Sequence, residues 1–197
     1  MSVAEAAASG AALGWVAGAA RVTACSVALF LVCATGRAAD APGQKCDVTL
    51  YPLSSPTTRF EDHRDGTVTD TQSKLMWMRC AVGQEWMKGH CVGTAARLSW
   101  AGAVEAAGAV NRRGNFFFSD WRLPQVPELA GIAERQCKNP RINLNVFPET
   151  PSDAFWTATS RATGDADFAF VIGFGGDGVK YSSKLEGHDV RLVRTAP

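Results

Sequence analysis

The sequence has no excess of charge of either sign. Its 197 residues contain 20 lysines and arginines against 19 aspartates and glutamates. Residues 1–39 hold only Arg21, Arg37 and Glu5 among these, so the rest of the chain has 18 charged residues of each sign. Nucleic-acid-binding domains depend on a basic face to neutralise phosphates. The even balance therefore predicts no nucleic-acid partner.

Motifs for metal, redox and nucleophilic chemistry are missing too. No Cys-x-x-Cys occurs, and His63, His90 and His188 are far apart in the chain, which argues against a zinc site or a thioredoxin-like centre. The glycine-rich stretch 173–178 precedes a predicted strand, so it is typical of a hairpin turn and not of a phosphate loop. No nucleophile lies in a recognisable elbow. We expect no metal, no cofactor and no catalytic residues, and hence no enzyme.

A long apolar run is absent as well. The apolar stretch 22–34 is shorter than the roughly 20 residues that a membrane span needs. Arg21 precedes it, and small residues follow it up to Ala39. This order predicts that residues 1–39 are a secretory signal with an N-terminal extension, cleaved after Ala38 or Ala39. We expect a secreted, periplasmic or cell-surface protein with no transmembrane segment after signal removal.

Some features of the N-terminal region stay open. Lipidation of Cys25 or Cys33, and a start codon downstream of Met1, are alternatives that the sequence does not decide. Residues 40–58 are rich in proline, serine and threonine, which predicts a linker or an extended arm. The remaining residues, 59–197, are predicted to form one domain, because that length is sufficient for a hydrophobic core.

The cysteines beyond the predicted signal are Cys46, Cys80, Cys91 and Cys137. In an exported chain, four cysteines can all pair, in three ways. Cys80 and Cys91 flank one polar loop, so we favour a disulfide between them, which leaves Cys46 for Cys137. The pairings 46–80 with 91–137 and 46–91 with 80–137 stay open.

The predicted elements place two helices between two sets of strands. Strands are predicted over 66–70, 75–78, 155–159, 168–174, 179–181 and 190–194. Ser99 predicts the start of a first helix with Trp100 on its inner face, and a second helix is predicted over 125–136, ending at Cys137. Stretch 168–174 is apolar on both faces, which predicts a middle strand with both sides covered. The sequence thus predicts an α+β fold with mixed or antiparallel strands and two disulfides.

Segment 119–124 is predicted to form a corner of the core. Trp121 and Leu123 alternate with Arg122, so an extended chain sends Trp and Leu to one side and Arg to the other. Pro124 disfavours helical geometry at Leu123 and separates this piece from the second helix. Asp120 belongs to the turn before it. We interpret this corner as structural, together with three more tryptophans: Trp77, Trp100 and Trp156.

Basic residues near the helix ends are the candidate ligand-binding residues: Arg112, Arg113, Arg135, Lys138 and Arg141. The planar fork of arginine matches sulfate and carboxylate groups, so these residues predict contact with an anionic glycan. The alternative is that they compensate the helix dipoles and keep the protein soluble. Trp86, between Cys80 and Cys91, is a candidate for stacking on a sugar, or else for packing over the disulfide.

An ordered series of motifs resembles one known family. The motifs are Gly66-Thr67-Val68-Thr69-Asp70, Leu75-Met76-Trp77, Cys80 to Cys91, Ser119 to Pro124 with Glu128-Leu129, Cys137 with Asn139-Pro140-Arg141, Phe155-Trp156 and Val190 to Arg194. Over about residues 46–195 the chain resembles the Lcl C-terminal domain family. That family is named for the glycan-binding tip of a bacterial collagen-like adhesin, so the resemblance implies an exported bacterial domain.

The Arg122-Leu123-Pro124 corner with its acidic helix also resembles the corner of formylglycine-generating, sulfatase-modifying enzymes, which implies a C-type-lectin-like fold. The redox-active cysteine arrangement of those enzymes is missing, so the resemblance implies no oxidation chemistry. The Glu-Pro-Asn and Gln-Pro-Asp motifs of calcium-dependent lectins are missing too.

The function implied by the resemblance is recognition without catalysis. We expect an exported module of the bacterial envelope or surface that binds a glycan or another surface polymer. The alternative is a structural or protein-interaction module of the periplasm or cell envelope, which has an envelope protein as partner and no small ligand.

Overall fold

The computed structural model describes residues 43–49, 51–114, 118–160 and 166–197. The predicted signal segment, its cleavage site and the two cysteines within it lie outside the described residues. Within the described ranges, no helix combines the length and the apolar character that crossing a membrane requires.

Antiparallel strands and two α-helices make up the described part of the chain. The strands are β1 (Lys45–Cys46), β2 (Phe60–Asp62), β3 (Thr67–Asp70), β4 (Leu75–Met78), β5 (Glu85–Met87), β6 (His90–Val92), β7 (Cys137–Lys138), β8 (Ala154–Ser160), β9 (Phe168–Gly173), β10 (Gly178–Ser183) and β11 (Val193–Thr195). The helices are α1 (Trp100–Arg113) and α2 (Val126–Gly131). A 3-10 turn at Thr57–Arg59 precedes β2.

The strands form two sheets and two short ribbons. The larger sheet has the order β11-β4-β3-β2, the smaller one β10-β9-β8, and the ribbons are β1-β7 and β5-β6. Neighbouring strands are antiparallel in all four. Disulfides join Cys46 to Cys137 and Cys80 to Cys91. The prediction of an α+β fold with mostly antiparallel strands, two helices and two disulfides is confirmed.

The two helices belong to core clusters on opposite sides of β4. Trp77 on β4 packs in the core cluster that contains Leu129 of α2. Its neighbour Met76 points the other way and packs in the cluster that contains Ala103 of α1. Such alternation is the period-two pattern of a strand that is buried on both sides.

The first helix begins and ends with the expected signals. The Ser99 hydroxyl accepts a hydrogen bond from Gly102 N–H at 3.2 Å, and Gly114 closes the helix in the left-handed region with φ 64°. Trp100 is half-buried, and its indole N–H donates to the Thr157 carbonyl at 3.0 Å. This contact ties α1 to β8.

The second helix is shorter than predicted. It ends at Gly131, and Cys137 lies in β7 instead of at a helix end, so the prediction of a helix over 125–136 is wrong beyond Gly131. The reason is that the side chain of Glu134 accepts the Gln136 N–H at 2.9 Å, while the Glu134 N–H donates to the Arg141 carbonyl at 3.0 Å. These bonds replace the helical ones.

Strand β9 is the middle strand of the smaller sheet, as predicted, but its two sides are not equally covered. Ala169 and Val171 are buried in the α1-side cluster. On the other side Ile172 is buried, whereas Phe168 is 38% exposed and Phe170 is only half-buried. The prediction that both sides are covered is wrong for the first half of the strand, because neither phenylalanine belongs to the α2-side cluster that covers Ile172.

Residues 188–193 form a seam that joins the two sheets. On one side, the Asp189 N–H donates to the Ala154 carbonyl and the Asp189 carbonyl accepts from Trp156 N–H. On the other side, the Leu192 carbonyl accepts from Met78 N–H at 3.1 Å. One extended segment therefore bonds to β8 and to β4, and the two sheets share it.

A fully buried arginine lies in this seam. The guanidinium of Arg191 donates to the carbonyls of Met78 and Arg79 and to the Thr150 hydroxyl, and it lies 4.8 Å from the ring centre of Phe147. Burial lowers the pKa of Arg191 to about 9, which still leaves the group charged at neutral pH. These contacts bring two segments to the seam: the end of β4 with the residue after it, and the loop before β8.

Asp189 provides the opposing charge. Its side chain lies two residues from Arg191, on the same side of the extended segment, and is 2% exposed. Burial raises the pKa of Asp189 to about 6, and the nearby charge of Asp153 acts in the same direction, while Arg97 and Arg191 oppose it. Among the described residues, its Oδ2 atom has no hydrogen-bond partner.

The N-terminal arm is bound to the domain through Glu134. This fully buried side chain accepts hydrogen bonds from Ser54 N–H (3.0 Å), the Ser54 hydroxyl (2.9 Å) and Ser55 N–H (2.7 Å). Further back, the Gln44 side chain donates to the carbonyls of Pro140 and Ile142, both at 2.8 Å. The arm is thus held at both ends of the part that the structure describes.

Asp189 should make the protein less stable as pH rises. A carboxyl whose folded pKa of about 6 exceeds the ordinary 3.8 binds more protons in the folded state, so stability falls between those two pH values. The Asp189→Asn variant lacks this dependence. We expect the free energy of unfolding of the wild type, relative to the variant, to fall by about 2–3 kcal/mol from pH 4 to pH 7. Urea denaturation at four pH values measures it. Asp177→Asn, at an exposed position, is the control, and curves that run parallel for wild type and Asp189→Asn would refute the role of Asp189.

Replacing the Glu134 carboxylate by an amide should loosen the arm. In Glu134→Gln, one of the two positions that accept N–H groups becomes a donor, so a buried N–H loses its acceptor. We expect a loss of about 1–3 kcal/mol in unfolding free energy, the usual cost of an unsatisfied buried polar group. Limited proteolysis should show earlier cleavage within residues 51–58. Glu105→Gln, on the exposed side of α1, is the matched control, and equal stability of both variants would contradict the prediction.

Candidate functional site

The corner at 119–124 is an assembled part of the core. Trp121, Leu123 and Pro124 are buried. The Asn111 side chain of α1 donates to the Trp121 carbonyl and accepts from its N–H, both at 2.9 Å. The Pro124 carbonyl accepts from Ala158 N–H at 2.8 Å. The corner therefore connects α1 to β8, and its apolar side chains are buried in the core.

The charged residues of the corner are paired. Arg122 donates to both carboxylate oxygens of Glu128, at 2.7 and 2.8 Å. Burial would raise the pKa of Glu128, but the hydrogen bonds from Arg122 and from Gln125 N–H lower it overall. Asp120 accepts from Arg194 at 2.7 Å, and this bond lowers the pKa of Asp120. These carboxylates are charged and occupied, so neither is suited to proton transfer near neutral pH.

An open depression of about 310 Å³ lies between the β3–β4 turn and α2. Its polar lining includes Asp70, whose carboxylate accepts from Arg59, from Gln72 N–H and from the Ser73 hydroxyl. Burial would raise the pKa of Asp70, yet these bonds lower it. The charged groups around the depression are therefore already matched to each other.

One serine–histidine contact has the spacing of a nucleophile and its base. The Ser182 hydroxyl lies 2.7 Å from Nε2 of His188, and burial lowers the pKa of His188. In a catalytic triad a carboxylate holds the other ring nitrogen. Here Nδ1 of His188 has no hydrogen-bond partner among the described residues. The contact thus lacks the group that would orient the base.

Side chains suited to a metal ion do not converge in the described ranges. No group of three or more histidine, cysteine, aspartate or glutamate side chains there could hold one.

Trp86 is occupied by its neighbours. The Arg79 guanidinium lies 4.3 Å from the centre of the Trp86 ring. A Cβ atom at Gly66 would come within 2.8 Å of the indole, so the backbone there approaches the ring directly. In the β5–β6 ribbon Trp86 is opposite Cys91, a partner in the adjacent disulfide. These contacts use the ring for packing and for a cation–π interaction.

Three of the predicted ligand-binding residues lie on β7 or within three residues of it. Together with one lysine of β1 we call them the basic ribbon: Lys45, Arg135, Lys138 and Arg141. Lys45 is directly opposite Lys138 in the β1–β7 pairing. Lys45, Arg135 and Lys138 are exposed, and Arg141 is half-buried. None of the four side chains forms an ion pair with another described residue.

Like charges directly opposite each other in a β-ribbon destabilise it. The β1–β7 pairing is maintained by the Cys46–Cys137 disulfide next to the two lysines. Two acidic residues lie near the ribbon: the buried Glu134, next to Arg135, and Asp47, directly after β1. The Thr49 hydroxyl donates to Asp47 and lowers its pKa. The ribbon is therefore a rigid surface where positive charge exceeds negative charge, in a domain that is neutral as a whole.

The other two predicted residues do not join this surface. Arg112 and Arg113 are exposed at the end of α1, and α1 packs on the opposite side of β4 from α2. Basic residues at a helix C-terminus interact favourably with its dipole. The structure thus separates the five predicted residues into a helix-end pair and a ribbon.

Sequence reasoning missed Lys45. The signal was present, because the favoured Cys46–Cys137 disulfide already placed the neighbours of those cysteines side by side.

Comparisons with known proteins identify the domain. No curated protein matches the chain. A family model, the Lcl C-terminal domain, matches residues 66–194, which is more than half of the chain. Its match begins before β3 and ends within β11, so it spans the larger sheet except β2, and it includes α1, α2 and the smaller sheet. The chain belongs to the Lcl C-terminal domain family.

Proposed function

We propose that the protein is an exported recognition module, without catalysis, that binds an anionic glycan or another anionic surface polymer through the basic ribbon. The observation that carries this proposal is the ribbon itself. Its four basic side chains have no ion-pair partner among the described residues, whereas Arg59, Arg79, Arg122 and Arg194 are each paired with a carboxylate.

The geometry of the ribbon suits a repeating anion. Successive residues of a strand advance about 3.3 Å, and Lys45 and Lys138 project from neighbouring strands on one side of the ribbon. Arginine offers a planar fork for sulfate or carboxylate, and lysine a compact point charge. A polymer with regularly spaced anions can contact several of these side chains at once, and such multivalency raises affinity without deep pockets.

The location that we propose is secreted, periplasmic or on the cell surface of a bacterium. Two disulfides support it, because such bonds persist in oxidising compartments and are rare in the cytosol. We propose further that the α+β arrangement is a C-type-lectin-like fold. This is supported by the Arg122-Leu123-Pro124 corner packed between an antiparallel sheet and two helices.

Charge reversal on the ribbon tests the proposal. In the Lys138→Glu/Arg141→Glu variant, binding to dextran sulfate should weaken about tenfold or more at 0.1 M salt, and the wild-type affinity should fall steeply as salt rises, because exposed charges are screened over about 10 Å. Surface plasmon resonance on the mature domain measures both. Uncharged dextran shows how much affinity is independent of charge.

The matched control is Arg112→Glu/Arg113→Glu, which changes the same number of charges at the end of α1. It should leave the affinity within about twofold of the wild type. An equal loss in both variants would show that only net charge matters. No binding of dextran sulfate by the wild type would favour the alternative, a structural or protein-interaction module of the envelope.

A further inference from the structure

Asp189 lies where the buried seam meets an exposed turn. Asp189 itself is 2% exposed, whereas Leu185, four residues earlier, is 90% exposed. Arg97 and Asp153, whose charges act on Asp189, form an ion pair at 3.6 Å, and each side chain is 56% exposed. The carboxyl of Asp189 therefore lies just beneath the surface, and a local movement of the turn is enough to bring it into water.

The end of this turn fastens the segment that leads into α1. The backbones of Leu98 and His188 exchange two hydrogen bonds, at 2.9 and 3.0 Å, and the Arg97 guanidinium donates to the Gly187 carbonyl at 3.2 and 2.9 Å. We call these bonds the latch. Because the next residue, Asp189, pairs through its own backbone with β8, the latch connects the start of α1 to the smaller sheet.

Two titratable side chains of the latch segment have a buried atom without a hydrogen-bond partner among the described residues: Nδ1 of His188 and Oδ2 of Asp189. Strands β10 and β8 give His188 only uncharged contacts, the Ser182 hydroxyl at 2.7 Å from Nε2 and the Trp156 ring at 4.7 Å between centres. A buried carboxylate without partners is costly when it is charged. The charged side chains that act on the two residues are Arg97, Asp153, Glu186 and Arg191.

We propose that Asp189 makes the latch sensitive to protons: the latch is closed while the carboxyl is protonated and opens more often once the carboxyl is charged. Opening moves the turn away from the seam, hydrates Asp189 and releases the start of α1 from the smaller sheet. The bonds that pair β3 with β4 stay intact, because those strands are buried along their whole length, whereas the latch adjoins an exposed turn. Local openings of this kind are the low-energy excursions of a folded domain.

The pH range of the latch follows from Asp189. Burial, and then the charge of Asp153, raises its pKa from the ordinary 3.8 to about 6, and in the open latch the hydrated carboxyl returns to its ordinary value. The equilibrium constant for opening therefore rises with pH between these two values, by about tenfold from pH 5 to pH 7.5. His188 acts in the opposite direction, because burial lowers its pKa and its protonation in acid favours opening. Comparison with Asp189→Asn, which keeps His188, removes that contribution.

Hydrogen exchange of single amides, measured by NMR on the mature domain, tests the proposal. The amides of Leu98 and His188 report on the latch, since each donates one of its two backbone bonds. The amides that pair β3 with β4 report on global unfolding. After correction for intrinsic exchange rates, the opening constant of the latch amides at pH 7.5 should exceed that of the β3–β4 amides by tenfold or more. Its ratio between wild type and Asp189→Asn should rise about tenfold from pH 5 to pH 7.5.

Two further variants accompany this comparison. Asp177→Asn, which removes an exposed carboxylate, is the matched control and should follow the wild type at every pH. Arg97→Gln removes the guanidinium bonds to the Gly187 carbonyl and leaves Asp189 in place. It should raise the opening constant of the latch amides about fivefold, the effect of one ordinary hydrogen bond, without changing that of the β3–β4 amides.

Two results would overturn the latch. If the amides of Leu98 and His188 exchange with the same opening constant as the β3–β4 amides, the segment opens only when the whole domain unfolds. If they open locally but with the same pH dependence in wild type and Asp189→Asn, the carboxyl does not control the opening. Neither measurement requires a ligand, so the outcome is independent of the proposed binding at the basic ribbon.

Discussion

The two sheets depend on one buried charged segment. Residues 188–193 hydrogen-bond to β8 on one side and β4 on the other, and Arg191 within them is fully buried. An unpaired buried charge is costly, yet this guanidinium binds two carbonyls and a hydroxyl and packs near Phe147. These partners come from β4, the residue after it and the loop before β8. The arginine thus fixes the position of each partner relative to the seam through directional hydrogen bonds. An apolar residue of similar size could not form such bonds.

The core elements could be predicted from the sequence because their patterns are local. Ser99 caps α1 by accepting a hydrogen bond from the N–H of Gly102, three residues later. Trp121 and Leu123 are buried on the side of the extended segment opposite Arg122. Both features depend only on residues within a few positions of each other. The second helix was predicted too long because Leu129, Ile132 and Ala133 lie at helical spacing. Beyond them, the carboxylate of Glu134 binds Ser54 and Ser55, 80 and 79 residues earlier. A local pattern contains no information about such distant donors. The seam was recognised only as a final strand, since its role depends on two sheets that are far apart in sequence.

The same difference between local patterns and long-range contacts applies to the candidate site. Arg135, Lys138 and Arg141 are close in sequence, and they stay close in the fold. Arg112 and Arg113 were grouped with them by charge alone, and the packing of α1 and α2 on opposite sides of β4 separates them. The partial exposure of Phe168 and Phe170 could not be predicted, because the apolar pattern in 168–174 is the same whether the second side of the strand is fully or partly covered.

A neutral domain can still recognise an anion if its charges are unevenly distributed. Several arginines here, among them Arg59, Arg122 and Arg194, are bound to carboxylates, and such pairs produce little field at a distance because the opposite charges cancel. The ribbon differs because Lys45 and Lys138 are placed opposite each other and their repulsion is tolerated by the covalent Cys46–Cys137 link beside them. A repulsion of this kind costs stability in the free protein and is relieved when an anion binds between the charges. The disulfide therefore does more than stabilise the fold, since it maintains a surface whose basic side chains form no ion pair with any described carboxylate.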